Sequence, residues 1–339
     1  MANKYLLALL PNHNRVYRDQ APALALAEFH VLSDTLYPGE LGEAEIFQAG
    51  GMPFLAFQAS KEPGVRLRGY LSCLSFCYGF FAQEGELLRP LELPKTNYFL
   101  DDILIILKSS GKTNEAFTAL LYNVTLWSSD FADDFFSRLR VLDPVCGRGT
   151  TLYYALHRGH DADGIEVAKA DVQVIEESLT RYLQEHRFKH QIAKSRIGRP
   201  QGGTGIKLTV SGARDKELLK RDPFSVTVIN EDTAYANNHF AKDSYHAIVA
   251  DLPNGVHGGT GAGRGLIRPD HLLERALPGW LKVLKKGGTL GLSWNYNSVE
   301  RERMIQVLSA HQLTPLQLPD FRHRADAAVA RDILVAKKP

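Results

Sequence analysis

Three short segments of the chain carry residues whose types and spacing could do chemistry. The first is the turn Asp143-Pro144-Val145-Cys146-Gly147-Arg148-Gly149-Thr150, which follows the apolar pair Val141-Leu142. Glycine adopts positive φ at little cost and lets a ligand approach the backbone closely. The free N–H groups at the start of the next helix then face that ligand. We therefore expect a ligand site at this turn, with Asp143 accepting hydrogen bonds from a cationic group.

The second segment is the end of the next predicted strand, where Glu166 lies 17 residues after Gly149. An acid at about this distance from a glycine turn is placed to hydrogen-bond both hydroxyls of a ribose. The same geometry serves NAD, so Glu166 predicts a nucleoside ligand without saying which one. The third segment, Ala250-Asp251-Leu252-Pro253-Asn254-Gly255, places an acid before a proline at the tip of a later strand.

The first segment resembles the opening motif of the S-adenosylmethionine-dependent methyltransferases, in the form Asp-Pro-x-Cys-Gly-x-Gly-Thr. That form is typical of enzymes that methylate exocyclic amines of nucleobases, notably the tRNA guanine-N2 methyltransferases, which often carry a THUMP domain. The resemblance covers about residues 110–339 and implies S-adenosylmethionine as the cofactor. It also implies a Rossmann-like class I fold, with a doubly wound, mostly parallel seven-stranded α/β sheet.

The resemblance implies roles for further residues. Asn123 lies in a helix that would pack beside the cofactor's methionine end, and Asp232, or its competitor Glu231, would read the adenine amino group. The residues expected to bind the cofactor are Asn123, Asp143, Pro144, Cys146, Gly147, Gly149, Thr150, Glu166, Asp232 and Thr233.

The third segment resembles the (Asp/Asn)-Pro-Pro-aromatic motif of amino methyltransferases. By that resemblance, the Asp251 side chain and the Leu252 carbonyl accept hydrogen bonds from an exocyclic NH2, and Pro253 stiffens the turn. Holding both hydrogens frees the nitrogen lone pair to attack an activated methyl group, so most of the catalysis is positioning. Asp251, Leu252, Pro253 and Asn254 are the expected catalytic residues.

Asn254 stands where the resembled motif has an aromatic residue that stacks on a flipped base, a contact worth roughly 1–3 kcal/mol. Tyr235, Trp294 or Tyr296 could supply a ring instead. The resemblance implies a guanine or adenine in tRNA or rRNA as the substrate, and Asn254 would be explained by the alternative, a small-molecule amine or amino acid. A nucleoside-binding protein without activity stays open as a third interpretation.

Two segments could contact the substrate. Residues 187–221 hold ten Lys and Arg residues against Asp215 and Glu217, and this excess of eight positive charges suits a nucleic-acid backbone. This segment lies between the second helix and the third strand, where the basic fold needs only a short loop. Residues 254–265 are glycine-rich and could form a lid in which His257 and Arg264 touch substrate.

Composition sets the remaining expectations. A hydrophobic content of 44% and a net charge of +2 are ordinary for a globular protein. Three cysteines are too few for a disulfide framework, and the apolar run at residues 5–10 is too short for a signal peptide or a membrane span. We expect a cytoplasmic protein with no membrane partner and no metal site.

The order of predicted elements gives two domains. Residues 1–92 should form a small α+β domain of uncertain role, without a recognisable full THUMP domain. It would contain a strand at 4–10, a helix from Pro22 to about Ser33, a hairpin at 45–58 and a strand at 68–81. Residues 93–339 should form the methyltransferase domain. From residue 140, strands and helices alternate, which predicts a parallel sheet with helices on both faces.

Overall fold

Two β-sheets organise the protein. The computed structural model describes residues 3–10, 15–106, 114–253, 267–325 and 329–339. The first sheet is built from residues 3–91 and the second from residues 140–337. None of the helices in these ranges is long and apolar enough to cross a lipid bilayer.

The first sheet is antiparallel, with the strand order β2-β3-β1-β4-β5. The predicted first strand, helix and hairpin are confirmed, although the helix is longer than expected. The elements of this unit are β1 (Asn3–Leu9), α1 (Arg15–Leu36), β2 (Glu45–Ala49), β3 (Met52–Ala59), α2 (Val65–Cys73), β4 (Cys77–Glu84) and β5 (Leu87–Leu91).

The strand predicted at residues 68–81 is wrong, because its first half is helix α2. Leu67, Tyr70, Leu71 and Leu74 are all buried. Their spacing of three and four residues puts them on one face of a helix, against the sheet. The aromatic-rich β4 begins only at Cys77.

The second sheet has five parallel strands at its centre, in the order β12-β11-β6-β7-β10. Antiparallel strands continue it on both sides: β15 and β13 beyond β12, and β9 and β8 beyond β10. Its strands are β6 (Arg140–Asp143), β7 (Asp161–Ile165), β8 (Lys189–Gly198), β9 (Thr204–Ala213), β10 (Phe224–Ile229), β11 (Tyr245–Asp251), β12 (Leu284–Asn295), β13 (Thr314–Pro315), β14 (His323–Arg324) and β15 (Ala330–Lys337).

Seven strands were expected in this sheet, and the described residues form ten. Part of the difference is the basic segment 187–221, which stands where the basic fold needs only a short loop. It folds into the hairpin β8–β9 and the short helix α6 (Lys216–Arg221), and β9 pairs along the whole length of β10. Pairing satisfies the backbone polar groups that a long loop would leave to solvent. The edge strand β8 is correspondingly exposed.

Helices cover both faces of the parallel strands, as predicted for a doubly wound sheet. Val141 and Val249 pack into one hydrophobic cluster, and Leu142 and Ile248 pack into another on the opposite face. The helices are α3 (Glu115–Trp127), α4 (Thr150–Arg158) and α5 (Lys169–Glu185) on the first face, and α7 (Ala236–His239), α8 (Pro269–Val283) and α9 (Arg301–Ala310) associated with the second. Helix α8 runs without a break through Pro278 and Gly279.

The two sheets share a hydrophobic core. Leu24 and Phe29 of α1 belong to the same buried cluster as Leu120 and Tyr122 of α3. Helices α1 and α3 pack against each other along this seam. The first unit therefore packs against the helices that cover one face of the second sheet, the face with α3 and α4.

Candidate functional site

Four parallel strands end at the same edge of the second sheet. Strands β6 and β11 end at Asp143 and Asp251, and Glu166 and Asn230 directly follow β7 and β10. In open α/β sheets, ligands bind outside the carboxyl ends of the strands. The structure therefore brings the acids of all three predicted segments to one edge.

The glycine turn between β6 and α4 has the backbone that its sequence predicts. Gly147 and Gly149 have φ values of +51° and +89°, and Gly149 is the residue that caps α4. A Cβ added at Gly149 would lie 3.2 Å from Ile175, whereas one added at Gly147 would meet nothing within 4 Å. Gly149 is thus packed against α5, while the backbone at Gly147 faces open space that a ligand can use.

Pro144 and Cys146 hold this turn against β7. Both residues are buried, and the Cys146 N–H donates to the Ile165 carbonyl at 3.0 Å. A Cβ at Gly164 would lie 2.6 Å from the Cys146 sulfur, so the thiol fills the space that this glycine leaves. Burial raises the pKa of the Cys146 thiol well above its usual value, which keeps it neutral. Cys146 acts here as a packing residue.

Glu166 connects the acid end of β7 to the glycine turn. Its carboxylate accepts hydrogen bonds from Gly147 N–H at 3.0 Å and from Ala168 N–H at 2.7 Å. Burial raises the pKa of Glu166, and the two backbone donors act in the opposite direction. The carboxylate is thereby fixed beside the turn, where it can accept further hydrogen bonds from ligand hydroxyls.

Asp143 is buried at the end of β6, with 3% of its surface exposed. Val145 N–H donates to it at 3.1 Å, and the Thr151 hydroxyl also hydrogen-bonds to it. Burial raises its pKa to about 7, and the negative charges of Asp251 and Glu166 add to the shift. This carboxyl can therefore gain a proton near neutral pH, and a cationic ligand would favour its ionised form.

The end of β10 is held from the hairpin β8–β9. Arg199 donates to the Asn230 carbonyl at 2.9 Å and to its side-chain oxygen at 2.6 Å. The Asn230 amide donates in turn to the carbonyls of Glu166 and Val167 at 2.9 and 3.0 Å. Arg199 and Asn230 thus tie the hairpin, β10 and the Glu166 segment together.

The residues predicted to read adenine have partners in the protein. Asp232 caps the turn after β10 through Ala234 N–H and forms an ion pair with Arg275 at 3.0 Å. Thr233 accepts hydrogen bonds from the Trp280 indole on both its hydroxyl and its carbonyl. The backbone after β10 is therefore anchored to α8.

Glu231, the competitor of Asp232, is almost fully buried. One carboxylate oxygen accepts from Asp232 N–H at 2.7 Å. Within the described ranges, the other oxygen has no hydrogen-bond partner and lies 4.0 Å from His239 Nε2, which has none either. Glu231 is therefore less accessible to a ligand than Asp232, which is half-buried.

Asp251 is paired with an arginine that the sequence analysis did not identify. Arg331 on β15 donates to the Asp251 carboxylate and lies 3.4 Å from the Ser293 hydroxyl. Its guanidinium carbon is 5.1 Å from the centre of the Phe117 ring. The acid expected to accept the substrate amine therefore lies in an ion pair that is mostly buried.

The backbone after Asp251 is fixed by the neighbouring strand. Leu252 is buried, and its N–H donates to the Ser293 carbonyl at 2.8 Å. Pro253 is exposed, and Asn254, with the predicted lid at 254–265, lies outside the described residues. Of the rings proposed to replace an aromatic at Asn254, Trp294 is excluded, since it is fully buried and donates to the Val299 carbonyl. Tyr235 and Tyr296 are partly exposed.

Asn123, predicted to lie beside the cofactor, has its side chain hydrogen-bonded within the protein. It is fully buried in the seam between the two sheets. Its amide donates to Glu28 at 2.8 Å and to the Cys73 carbonyl at 2.7 Å, and its oxygen accepts from Tyr154 at 3.2 Å. These contacts account for Asn123 as a link between the units.

Sequence reasoning missed Arg331, Arg275 and Arg199, each of which fixes a residue at this edge. Arg331 and Asp251 are 80 residues apart, and Arg275 and Asp232 are 43 residues apart. No local pattern marks such pairs. Arg199 lies in the segment singled out for its charge. Among the described residues, no group of three His, Cys, Asp or Glu side chains could hold a metal ion.

Comparisons with known proteins add a partial structural likeness. No protein-family model and no curated protein matches the chain. A suspected transferase from Pyrococcus horikoshii is similar in structure, with a TM-score of 0.35 and 11% identity over 59% of this chain, and the chain covers 58% of that protein's length.

Two further solved structures are similar at comparable levels. One is a TehB-like S-adenosylmethionine-dependent methyltransferase from Corynebacterium glutamicum (TM-score 0.35, 14% identity, 62% of this chain and 85% of that one). The other is a ribosomal protein L11 methylase from Lactobacillus delbrueckii subsp. bulgaricus (TM-score 0.37, 13% identity, 66% and 80%). At these TM-scores the likeness is partial, so the chemistry of the site has to be inferred from its own residues.

Proposed function

We propose that this protein is an S-adenosylmethionine-dependent N-methyltransferase that acts on an exocyclic amine. The observation that carries the proposal is the hydrogen bond between the Glu166 carboxylate and Gly147 N–H, 3.0 Å long. It joins a ribose-binding acid to a positive-φ glycine turn that faces open space. Asp143 and Asp251 end neighbouring parallel strands at the same edge.

The proposal assigns the cofactor to this edge of the sheet. Glu166 would accept hydrogen bonds from the ribose hydroxyls, and Asp143 would hold the cationic amino group. Gly147 would leave room for the ligand, and Asp232 would read the adenine. The remaining predicted cofactor residues, Pro144, Cys146, Gly149, Thr150 and Thr233, shape the two turns. When bound, S-adenosylmethionine supplies an electrophilic methyl group.

The substrate amine is assigned to Asp251. Its carboxylate is an acceptor on rigid backbone, because β11 pairs with β12 up to this residue and Leu252 continues the pairing. Accepting hydrogen bonds from the amine would orient the nitrogen lone pair toward the methyl group. The Leu252 carbonyl is the proposed second acceptor, and Pro253 and Asn254 complete the segment. Orientation of this kind accounts for most of the rate enhancement available to the protein.

We propose RNA as the partner that presents the amine, through the hairpin β8–β9. Residues 189–213 contain five Lys and Arg residues and no Asp or Glu. Lys189, Arg196 and Lys207 are exposed, and no carboxylate in the described part of the chain forms an ion pair with them. Unpaired cations on this hairpin suit phosphate groups, which dominate nucleic-acid affinity. Arg196 and Lys207 lie at the end of the hairpin that adjoins Ile229, and Lys189 lies at the opposite end.

A labelled-methyl assay tests the proposed function. The protein is incubated with methyl-labelled S-adenosylmethionine and either bulk tRNA, bulk rRNA or a metabolite extract. We expect label in one of the RNA fractions and none in the metabolites. Label only in metabolites would support a small-molecule amine instead, and no transfer to any fraction would contradict the proposal of an N-methyltransferase.

The hairpin can be tested by the salt dependence of RNA binding. The triple variant Lys189→Gln, Arg196→Gln and Lys207→Gln should reduce the slope of log K against log salt by about 3 for duplex RNA, since each lost phosphate contact removes close to one unit. Lys216→Gln with Lys220→Gln on α6 is the matched control and should change the slope little. Equal slopes for the wild type and the triple variant would exclude the hairpin as the RNA contact.

A further inference from the structure

The ion pair between Arg331 and Asp251 bears on which amines the site can accept. The two partners lie on strands separated by β12, and Arg331 reaches across the end of that strand. The side chains of Arg331 and Asp251 are only 12% and 20% exposed. A pair this protected from water is screened weakly by salt and keeps its charges close together.

Arg331 is held in place by more than the carboxylate. Its guanidinium lies over the Phe117 ring, at 5.1 Å from the ring centre, and approaches the Ser293 hydroxyl at 3.4 Å. Phe117 is itself buried and lies 5.0 Å, ring centre to ring centre, from His323. Stacking of this kind stabilises a guanidinium and restricts its orientation. The positive charge is therefore a built part of the edge where Asp251 ends β11.

A bare carboxylate at this position would select the wrong form of an amine. An opposite charge within about 4–6 Å favours the protonated form of an alkylamine, whose pKa is already near 10. A protonated amine has no lone pair with which to attack a methyl group. The carboxylate paired with a guanidinium has no net charge, so it loses most of this preference while its oxygens still accept hydrogen bonds.

We propose that Arg331 is a specificity-determining residue, which cancels the charge of Asp251 and thereby selects amines that are uncharged at neutral pH over alkylammonium groups. An amino group conjugated to an aromatic ring, such as the exocyclic amine of a nucleobase, is uncharged and fits this requirement. The inference rests on the proposed function, because it takes Asp251 as the amine acceptor. It narrows the substrate class independently of the basic hairpin.

Binding measurements with two cofactor analogues test the inference without turnover. S-adenosylhomocysteine is uncharged at sulfur, and sinefungin carries an ammonium group in place of the sulfonium centre. Calorimetry gives the ratio of their dissociation constants for the wild type and for variants. A merely structural role of Arg331 would weaken both ligands together and leave this ratio unchanged.

Arg331→Met removes the charge and keeps an unbranched side chain. It should shift the ratio about tenfold in favour of sinefungin, because Asp251 then attracts the ammonium group without competition. Asp251→Asn in the wild-type background should shift the ratio in the opposite direction, since Arg331 is then unopposed. The double variant should return close to the wild-type ratio. Arg322→Met, which removes an exposed arginine paired with Asp320, is the control and should leave the ratio unchanged.

The outcomes separate this inference from the proposed function. If the wild type binds neither S-adenosylmethionine nor S-adenosylhomocysteine, the proposed function fails. If both bind but neither Arg331→Met nor Asp251→Asn changes the ratio, the role of Arg331 is wrong while the cofactor assignment survives. Should Arg331→Met not fold, the shift produced by Asp251→Asn decides alone.

Discussion

The acids at the carboxyl edge of the second sheet fall into two groups with different partners. Asp143 and Glu166, at the ends of β6 and β7, are held by backbone N–H groups, and the hydroxyl of Thr151 also bonds to Asp143. Asp251 and Asp232, which follow β11 and β10, are each paired with an arginine. Within the ranges that the structure describes, no cation is paired with either acid of the first pair, whereas each acid of the second pair is neutralised by an arginine.

This difference assigns different ligands to the two groups. Uncompensated carboxylates in a buried site attract a cation and accept hydrogen bonds from hydroxyls, as a charged nucleoside cofactor requires. Neutralised carboxylates still accept hydrogen bonds but attract cations weakly. They suit uncharged amino groups, which both the adenine of the cofactor and a nucleobase substrate carry. Under the proposed function, this sheet edge has a cation-binding half, Asp143 and Glu166, and an amine-binding half, Asp251 and Asp232.

The largest expected effect comes from the amine-binding half. Asp251→Ala should lower methyl transfer to RNA by at least about 100-fold, since misplacing the amine by even 1 Å can cost that much. The affinity for S-adenosylmethionine should fall by no more than about tenfold, because the other cofactor contacts stay intact and only the unopposed charge of Arg331 disfavours the cationic ligand. Labelled-methyl transfer and calorimetry measure the two quantities.

The Asp251→Ala variant leaves Arg331 without its carboxylate, so its stability needs a control. The double variant Asp251→Ala with Arg331→Met removes both charges and should fold while remaining inactive. Near-normal turnover in either variant would show that Asp251 does not accept the amine.

Glu166 is the most informative residue in the cation-binding half. Glu166→Ala should weaken S-adenosylmethionine binding about 10- to 100-fold, because hydrogen bonds to a charged group are worth about 1.5–3 kcal/mol. Asp171→Ala is a matched control: Asp171 pairs with Arg148 at 3.0 Å on α5 and should have little effect. Equal losses in the two variants would mean that Glu166 contributes only through the general charge of the region.

Asp143 should make cofactor binding depend on pH. Its pKa in the folded protein is raised to about 7, mainly by burial. The ionised form that binds a cation is therefore lost as pH falls through about 7, and we expect affinity for S-adenosylmethionine to rise several-fold between about pH 6 and pH 8. Calorimetry across this range should give a flatter profile for Asp143→Asn. A profile that is flat in the wild type would contradict this role.

The raised pKa of Asp143 also affects the free energy of unfolding of the ligand-free protein, in the opposite direction with pH. Between the unfolded pKa of Asp143, near 3.9, and the folded value near 7, the folded protein binds more protons. The contribution of Asp143 to the free energy of unfolding therefore falls as pH rises through this window. Denaturant unfolding of wild type and Asp143→Asn at several pH values measures it.

The smallest effect on the site is expected from Asn123. Asn123→Leu should lower the free energy of unfolding by about 1–3 kcal/mol, because Glu28 and the Cys73 carbonyl lose a buried donor. Affinity for S-adenosylmethionine should stay within about twofold. Tyr154→Phe removes one hydroxyl from the same cluster and should cost less than about 1.5 kcal/mol. If Asn123→Leu weakened cofactor binding without lowering stability, Asn123 would be shown to contact the cofactor.

Local patterns in the sequence were sufficient to predict the strand ends and turns that form the candidate site. The glycine turn, the end of β7 and the tip of β11 each combine a strand signal with a turn signal, and the structure places all three at one edge. The helix expected around Asn123 is also confirmed as α3, and Asn114 caps it by accepting from Ala116 N–H at 2.9 Å.

The features that the sequence did not reveal depend on contacts between residues distant in sequence. Leu208 and Val210 of β9 are buried, but β8 is mostly exposed, and the hairpin follows from the pairing of β8 with β9 and of β9 with β10. Asn123 is a polar residue in an apolar helix, and its partner Glu28 lies 95 residues away. The arginines that pair with Asp232 and Asp251 come from α8 and β15. Local sequence patterns identify these acids but not the distant arginines that neutralise them.

The central claim is that the edge formed by Asp143, Gly147 and Glu166 binds S-adenosylmethionine. Calorimetric titration of the wild-type chain with S-adenosylmethionine and, separately, with NAD tests it most directly. The account predicts saturable binding of S-adenosylmethionine that is weakened in Glu166→Ala, and no binding of NAD. Binding of NAD without S-adenosylmethionine would contradict it.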